Sequence, residues 1–151
     1  MKALKMLALA LVTIAVTTSS SAQGMAVDGA RAMFNKALTE FNSANYEAYL
    51  SNVADDFEGY TGIYTPFRFV GKTAWSNFIM GLKNYRSATY DQRQPSYRAY
   101  GDNTVLCNAY FVFTTIASDG TVDTQSGRET TVLVKINGTW KIANYHFSPI
   151  F

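Results

Sequence analysis

The hydrophobic residues in the first half of the chain recur with helical spacing. Across Val27–Phe41 they lie three and four positions apart, which places them on one face of an amphipathic helix. The same spacing predicts a shorter helix over Tyr46–Val53 and a third over Thr73–Leu82. Between the second and third helices, the aromatic, glycine-punctuated segment Phe57–Ile63 is typical of a short strand.

The second half of the chain has the composition and turn signals of long strands. β-branched and aromatic residues dominate from Tyr85 onward, and short glycine-containing segments interrupt them. The pattern predicts four long strands: Ala88–Ala99, Thr104–Ile116, Arg128–Ile136 and Thr139–Ser148. Helices followed by a meander of antiparallel strands indicate an α+β domain, with the helices packed on one face of a curved sheet.

The final hairpin has a register that can be counted from its turn. Asn137-Gly138 is the strongest short signal for a two-residue type I′ turn. Counting outward pairs Thr131 with Asn144 and Glu129 with His146, the only histidine. A histidine opposite a carboxylate is either a structural ion pair or a tuned acid/base pair, and the pattern does not choose between them. The same count places Arg128 on the opposite side of its strand from His146.

The first 22 residues have the pattern of a secretory signal peptide. Lys2 and Lys5 precede the apolar segment Met6–Val16, and small residues lead up to Ala22. We expect cleavage after Ala22, which leaves residues 23–151 as one secreted or periplasmic domain. The apolar segment is shorter than the roughly 20 residues needed to span a bilayer, so we predict no stable membrane association after cleavage.

Composition narrows the chemistry further. Cleavage would remove two of the 13 basic residues and none of the 11 acidic residues, leaving equal numbers of each. A chain without excess positive charge lacks the phosphate attraction on which nucleic-acid binding depends. With one cysteine, Cys107, and one histidine, the chain has no intramolecular disulfide, and we predict no metal site and no cofactor.

Several segments resemble the SnoaL-like branch of the nuclear transport factor 2-like superfamily. They are Gly71-Lys72-Thr73-Ala74-Trp75, Gly127-Arg128-Glu129-Thr130 and the ending from Asn137 to Ser148. This ending is similar to the terminal hairpin of the family, including the association domain of calcium/calmodulin-dependent kinase II. The resemblance implies a cone-shaped α+β fold with a pocket at its open end, commonly in a homodimer formed through sheet surfaces. It does not imply one activity, because the fold carries isomerases, cyclases, dehydratases, binding proteins and oligomerisation modules.

Three functions therefore stay open. The first, which we prefer because no acidic base is clearly placed, is an exported protein that binds a small apolar or aromatic organic ligand in the cone pocket. The second is an isomerase, cyclase or dehydratase-type enzyme in which His146 transfers a proton and Glu129 orients it. The third is a homo-oligomerisation module. The predicted ligand contacts are aromatic or polar residues: Tyr60, Tyr64, Trp75, Tyr110, Arg128 and Asn144.

Overall fold

The computed structural model describes the backbone of residues 2–61 and 68–150, and the side chains of residues 22–61 and 68–150. Three α-helices precede most of the strands: α1 (Lys2–Asn42), α2 (Tyr46–Ser51) and α3 (Gly71–Gly81), which continues into the 3-10 turn Leu82–Asn84. The strands are β1 (Val53–Thr61), β2 (Arg68–Val70), β3 (Ser87–Ala99), β4 (Thr104–Ile116), β5 (Val122–Ile136) and β6 (Thr139–Pro149).

The three predicted helices are present, with different ends. The segment Val27–Phe41 lies within α1, which also includes the predicted signal segment. The second helix ends at Ser51 and not at the predicted Val53. The chain enters β1 at Val53, where two consecutive residues are buried, so the buried positions no longer follow helical spacing. Residues 62 and 63 of the predicted strand Phe57–Ile63 lie outside the described residues.

The strands form one six-stranded sheet in the order β2-β1-β6-β5-β4-β3. Every neighbouring pair is antiparallel except β1 and β6, which run parallel. This parallel pairing is feasible because β2, α3 and the strands β3–β5 lie between β1 and β6 along the chain, and parallel neighbours require a long connection. The helices pack on one face of the sheet, so the predicted α+β cone is confirmed.

The core lies between α1, α3 and the inner face of the sheet. Ala30, Phe34 and Ala37 form a fully buried stripe along α1, and Phe41 continues it. Small alanine side chains let the helix approach the sheet closely, while Phe34 packs against Tyr145 with ring centroids 6.1 Å apart. Burying such aromatic side chains contributes about 1.5–3 kcal/mol each, so this stripe anchors the sheet to α1.

The hairpin prediction is right near the turn and wrong beyond it. Asn137 and Gly138 both have positive φ, 49° and 80°, as a type I′ turn requires, and Leu133 pairs with Ile142 as expected. Between Leu133 and Val132 the register then shifts, because Ala143 is an extra residue in β6 that has no partner on β5.

The bulge at Ala143 changes the face of every later side chain on β6. Glu129 pairs with Phe147, not with His146, and Thr131 pairs with Tyr145, not with Asn144. His146 instead lies opposite Thr130 and is exposed on the outer face of the sheet. A slip of one residue exchanges the two faces of a strand, so the predicted Glu129–His146 pair is absent and Arg128 shares the outer face with His146.

Candidate functional site

A small cavity of about 40 Å³ lies between the helices and the inner face of the sheet. Every residue that lines it is aromatic or aliphatic. They are Leu38, Phe41, Tyr49, Trp75, Phe78, Ile79, Leu82, Tyr90, Phe111, Phe113, Tyr145 and Phe147. Such a lining favours a ligand that is itself largely apolar or aromatic.

Two stacked aromatic pairs build opposite walls of this cavity. On α3, Trp75 stacks on Phe78 with ring centroids 5.3 Å apart, and on the sheet Tyr90 stacks on Phe111 at 5.5 Å. Trp75 and Phe78 share a helix face because they are three positions apart. Both walls are therefore held by regular backbone on the two layers of the fold.

Next to the Tyr90–Phe111 wall, on the same inner face of the sheet, lies a buried carboxyl group, that of Glu129. The residue is 2 % exposed and lies on the inner face of β5. Its Oε2 accepts a hydrogen bond from the Tyr90 hydroxyl, and its Oε1 accepts one from the Gln92 side-chain amide. Tyr90 and Gln92 are two positions apart on β3, so both face inward and reach across β4 toward Glu129.

The surroundings of Glu129 make its charged form costly. Burial raises the pKa of Glu129 to about 7, although the hydrogen bonds from Tyr90 and Gln92 act in the opposite direction. Among the side chains that the structure describes, no lysine, arginine or histidine forms an ion pair with Glu129. The carboxyl group is thus poised to gain or lose a proton near neutral pH.

The charge of Glu129 also acts on the cavity wall. The pKa values of Tyr49, Tyr90 and Tyr145 are raised, first by burial and then by the negative charge on Glu129. Burial and the same charge raise the pKa of the Cys107 thiol to about 12. These groups therefore stay neutral at physiological pH, and Glu129 is the group of this cluster that changes charge there.

The predicted ligand contacts are distributed over both faces of the sheet. Trp75 lines the cavity. Tyr60 and Tyr110 are exposed by 40 % and 45 %, and Arg128 lies beside Tyr110 on the outer face. Asn144 is half-buried at the bulge in β6, and Tyr64 lies outside the described residues.

The two predicted catalytic residues are also on opposite faces. Glu129 points inward, whereas His146 is exposed and lies edge-on to Tyr60, with ring centroids 6.4 Å apart. The predicted residues therefore do not form one pocket, because the bulge at Ala143 reverses the side of β6 that His146 occupies. A role for each of them in binding or catalysis stays a prediction.

The sequence did not predict that Tyr90 and Gln92 are the hydrogen-bond partners of Glu129. A signal for the cluster exists in β5, where Leu133, Thr131 and Glu129 alternate with outward residues and so share the inner face. A carboxyl group at a core position needs buried hydrogen-bond donors. Which strand supplies those donors depends on the strand order, which local patterns do not contain.

Two further features concern metal binding and membrane crossing. Nowhere in the part of the chain that the structure describes do three or more His, Cys, Asp or Glu side chains come together in a group that could hold a metal ion. Within that same part, the helices lack the combination of length and hydrophobicity needed to cross a membrane.

Comparison with known proteins identifies the fold independently. A family model described as a SnoaL-like domain matches residues 30–151. No curated protein matches the chain by sequence.

Three solved structures illustrate the similarity. A nuclear transport factor 2-like superfamily protein from Salmonella enterica serovar Typhimurium is 22% identical, with a TM-score of 0.67 over 87% of this chain and 93% of that one. A ketosteroid isomerase-like protein from Erwinia carotovora atroseptica is 19% identical, with a TM-score of 0.66 over 83% and 96%. A Xanthomonas campestris protein named for the calcium/calmodulin-dependent protein kinase II association domain is 18% identical, with a TM-score of 0.69 over 80% and 84%.

At these identities the structural similarities show a shared fold, and they do not by themselves establish a shared activity. The family match covers most of the chain, and it includes α3, the whole sheet and the Glu129 cluster. The chain therefore belongs to the SnoaL-like domain family, and it shares the fold of a nuclear transport factor 2-like superfamily protein.

Proposed function

We propose that this protein binds a small, largely apolar or aromatic organic ligand in the cavity between α3 and the sheet. The observation that carries the proposal is the cavity lining, which is built entirely from aromatic and aliphatic residues. A buried apolar cavity next to a single polar cluster is the usual arrangement of a small-molecule site. The Tyr90 hydroxyl and Glu129 supply that polar cluster.

The proposal is tested with 4-fluorotoluene as a neutral probe, followed by ¹⁹F NMR. The cavity of about 40 Å³ is smaller than this probe, so the lining side chains must move apart to admit it, and binding is expected to broaden and shift its fluorine signal. Leu38 lines the cavity but is only partly buried, so Leu38→Trp should fill the cavity and abolish the effect while the fold is kept. Tyr110→Trp introduces the same side chain on the outer face and should leave the effect unchanged. A signal unaffected by Leu38→Trp, or no signal change with the wild type, would overturn the proposal.

A second candidate is an enzyme that moves a proton on a bound ligand. The specific observation in its favour is that Glu129, rather than His146, lies beside the cavity with a pKa of about 7, near the value that suits a general acid or base at neutral pH. The ketosteroid isomerase-like relative suggests that substrates with an acidic C–H beside a carbonyl are the class to screen first. Turnover that Glu129→Gln abolishes and His146→Gln preserves would support this candidate, whereas the reverse pattern would restore His146 to the role.

We also propose that the mature chain, residues 23–151, is exported and forms a homodimer. The support for export is the signal-peptide pattern that ends at Ala22. Fractionation of cells that express the full chain is expected to place a protein beginning at Gln23 outside the cytoplasm. A chain that keeps its first 22 residues would argue against this localisation.

A further inference from the structure

We propose that the ligand carries a hydroxyl group at one end of its apolar or aromatic body, and that a second pocket, at the end of α3, binds this hydroxyl. The inference rests on the proposed ligand-binding function and specifies the ligand class as an apolar or aromatic alcohol. Three features of the structure support it: the size and position of the second pocket, the polar groups in its wall, and the unpartnered acceptor atoms beside it.

The second pocket, here called the mouth pocket, adjoins the inner cavity and is larger. Its volume is about 330 Å³, against about 40 Å³ for the inner cavity, and Phe78, Leu82 and Phe113 line both. Small-molecule sites typically measure about 300–1,000 Å³. The mouth pocket therefore has room for a small organic group, and the three shared side chains form an apolar boundary between it and the inner cavity.

Polar groups from both layers of the fold line other parts of the mouth pocket. Asn77 comes from α3, while Thr115 on β4 and Asp123 on β5 lie directly opposite each other. Thr115 is two residues beyond Phe113, and Asp123 is two residues before Gln125, the partner of Phe113. Thr115 and Asp123 therefore form the next inward row of the sheet, so the pocket has an apolar side and a polar side.

The acceptor atoms on the polar side outnumber their donors. Oδ2 of Asp123 accepts a hydrogen bond from Nε2 of Gln125, at 3.1 Å, whereas Oδ1 has no partner among the residues that the structure describes. No basic side chain in that part of the chain forms an ion pair with Asp123. Oε1 of Gln125 is buried and has no partner either. Buried polar atoms are usually hydrogen-bonded, so this arrangement favours a ligand that brings a donor.

A hydroxyl group suits these partners better than other common polar groups. It donates to Oδ1 of Asp123 and accepts from the amide of Asn77 or the hydroxyl of Thr115. A carboxylate has acceptors only and would meet the like charge of Asp123. An ammonium group donates but cannot accept, and removing it from water against the apolar boundary costs more.

The experiment compares four ligands that differ at one end only, by ¹⁹F NMR titration of the wild-type chain. They are 4-fluorotoluene, 4-fluorobenzyl alcohol, 4-fluorobenzoate and 4-fluorobenzylamine, which is cationic at neutral pH. We expect the alcohol to bind about fivefold more tightly than 4-fluorotoluene, the gain from roughly one net hydrogen bond. The benzoate should bind most weakly. Tightest binding of the benzoate or of the amine would overturn the inference.

A matched pair of variants assigns the preference to Asp123. Asp123→Leu removes both carboxyl oxygens and should reduce the affinity for the alcohol to no more than that for 4-fluorotoluene. Asp91→Leu makes the same substitution at an exposed position of β3 and should preserve the fivefold preference. A preference that survives Asp123→Leu would contradict the inference.

A second pair tests the place of the pocket. Gly81 lines the mouth pocket and has nothing within 4 Å of an added Cβ, so Gly81→Leu should fill the pocket and abolish the preference for the alcohol. Ala32→Leu introduces the same side chain on the exposed side of α1 and should keep the preference. If the alcohol and 4-fluorotoluene bind the wild type equally, the hydroxyl preference is wrong and the proposed function stands. If neither binds, both fail.

Discussion

Glu129 places a carboxyl group on the inward face of β5, the same face that Leu133 occupies four residues later. Burial favours the protonated form and raises its pKa, although the hydrogen bonds from its two neutral donors act in the opposite direction, and no cation among the described side chains forms an ion pair with it. The pattern of β5 predicts that Glu129 is inward, but it does not predict its donors. Tyr90 and Gln92 come from a strand 37 to 39 residues earlier, and only the order of strands brings them within reach.

The raised pKa of Glu129 predicts how stability depends on pH. The unfolded chain ionises this group near its ordinary value of 4.5, whereas the folded protein keeps it protonated up to about 7. The folded state therefore binds more protons between these values, and the contribution of Glu129 to stability is present below pH 4.5 and lost as the pH rises to about 7. The loss should be about 3 kcal/mol.

Urea unfolding across this pH range measures the effect. Glu129→Gln cannot ionise, so it should remove this part of the pH dependence and be more stable than the wild type above pH 7. Glu47→Gln should retain the wild-type profile between pH 4.5 and pH 7. A wild-type stability that increases steadily over this interval, with no difference in Glu129→Gln, would contradict the assigned environment of Glu129.

Among the elements, β5 and β6 decide which side chains face the cavity. The turn at Asn137-Gly138 sets the first part of their register, and both residues have the positive φ that the turn needs. Beyond Leu133 the bulge at Ala143 sets the register, and no local residue pattern predicts this bulge. This is why the sequence predicted the hairpin correctly but assigned His146 to Glu129.

On β5, two residues before Glu129, Gly127 lets Ser148 and Phe111 approach the strand closely, which a side chain would prevent. A Cβ at this position would meet the carbonyl oxygen of Ser148 and would lie 2.7 Å from Cε1 of Phe111, which lines the cavity. Gly127→Ala should therefore destabilise the fold by about 1–3 kcal/mol through overpacking. It should also weaken binding of 4-fluorotoluene, since Phe111 must move.

Thermal and urea unfolding of the variant give the stability change. Gly81→Ala is the control, because nothing lies within 4 Å of a Cβ at the end of α3. That substitution should be stabilising by up to about 1 kcal/mol, since alanine favours a helix. Equal effects at Gly127 and Gly81 would mean that β5 and β6 are less closely packed than the structure indicates.

For the whole molecule, the two faces of the sheet have different chemistry. The inner face is buried against the helices, whereas the outer face is available to a second copy of the chain. A row of paired residues crosses it, from Arg93 through Tyr110 to Arg128 and Ser148. Tyr110 lies within this row and is 45 % exposed, so it is a suitable probe of the proposed dimer.

Light scattering on residues 23–151 is expected to give twice the mass of one chain. Tyr110→Lys should convert this dimer to a monomer, because it places a third positive charge between Arg93 and Arg128 in the sheet surface. Asn35→Lys, on the exposed side of α1, adds the same charge elsewhere and should leave the mass unchanged. A monomeric wild type would contradict the proposed dimer and would not affect the proposed ligand binding in the cavity.

The sequence by itself determined the α+β class, the helices, the long strands and the terminal turn. These features depend on hydrophobic periodicity and on residues such as Asn137-Gly138, which act over a few neighbours. Only the tertiary structure decided that Glu129 lies with Tyr90 and Gln92, that Trp75 faces the same cavity, and that His146 lies outside. The physical reason is that one bulged residue reverses the face of a strand, and that contacts between distant strands depend on sheet order.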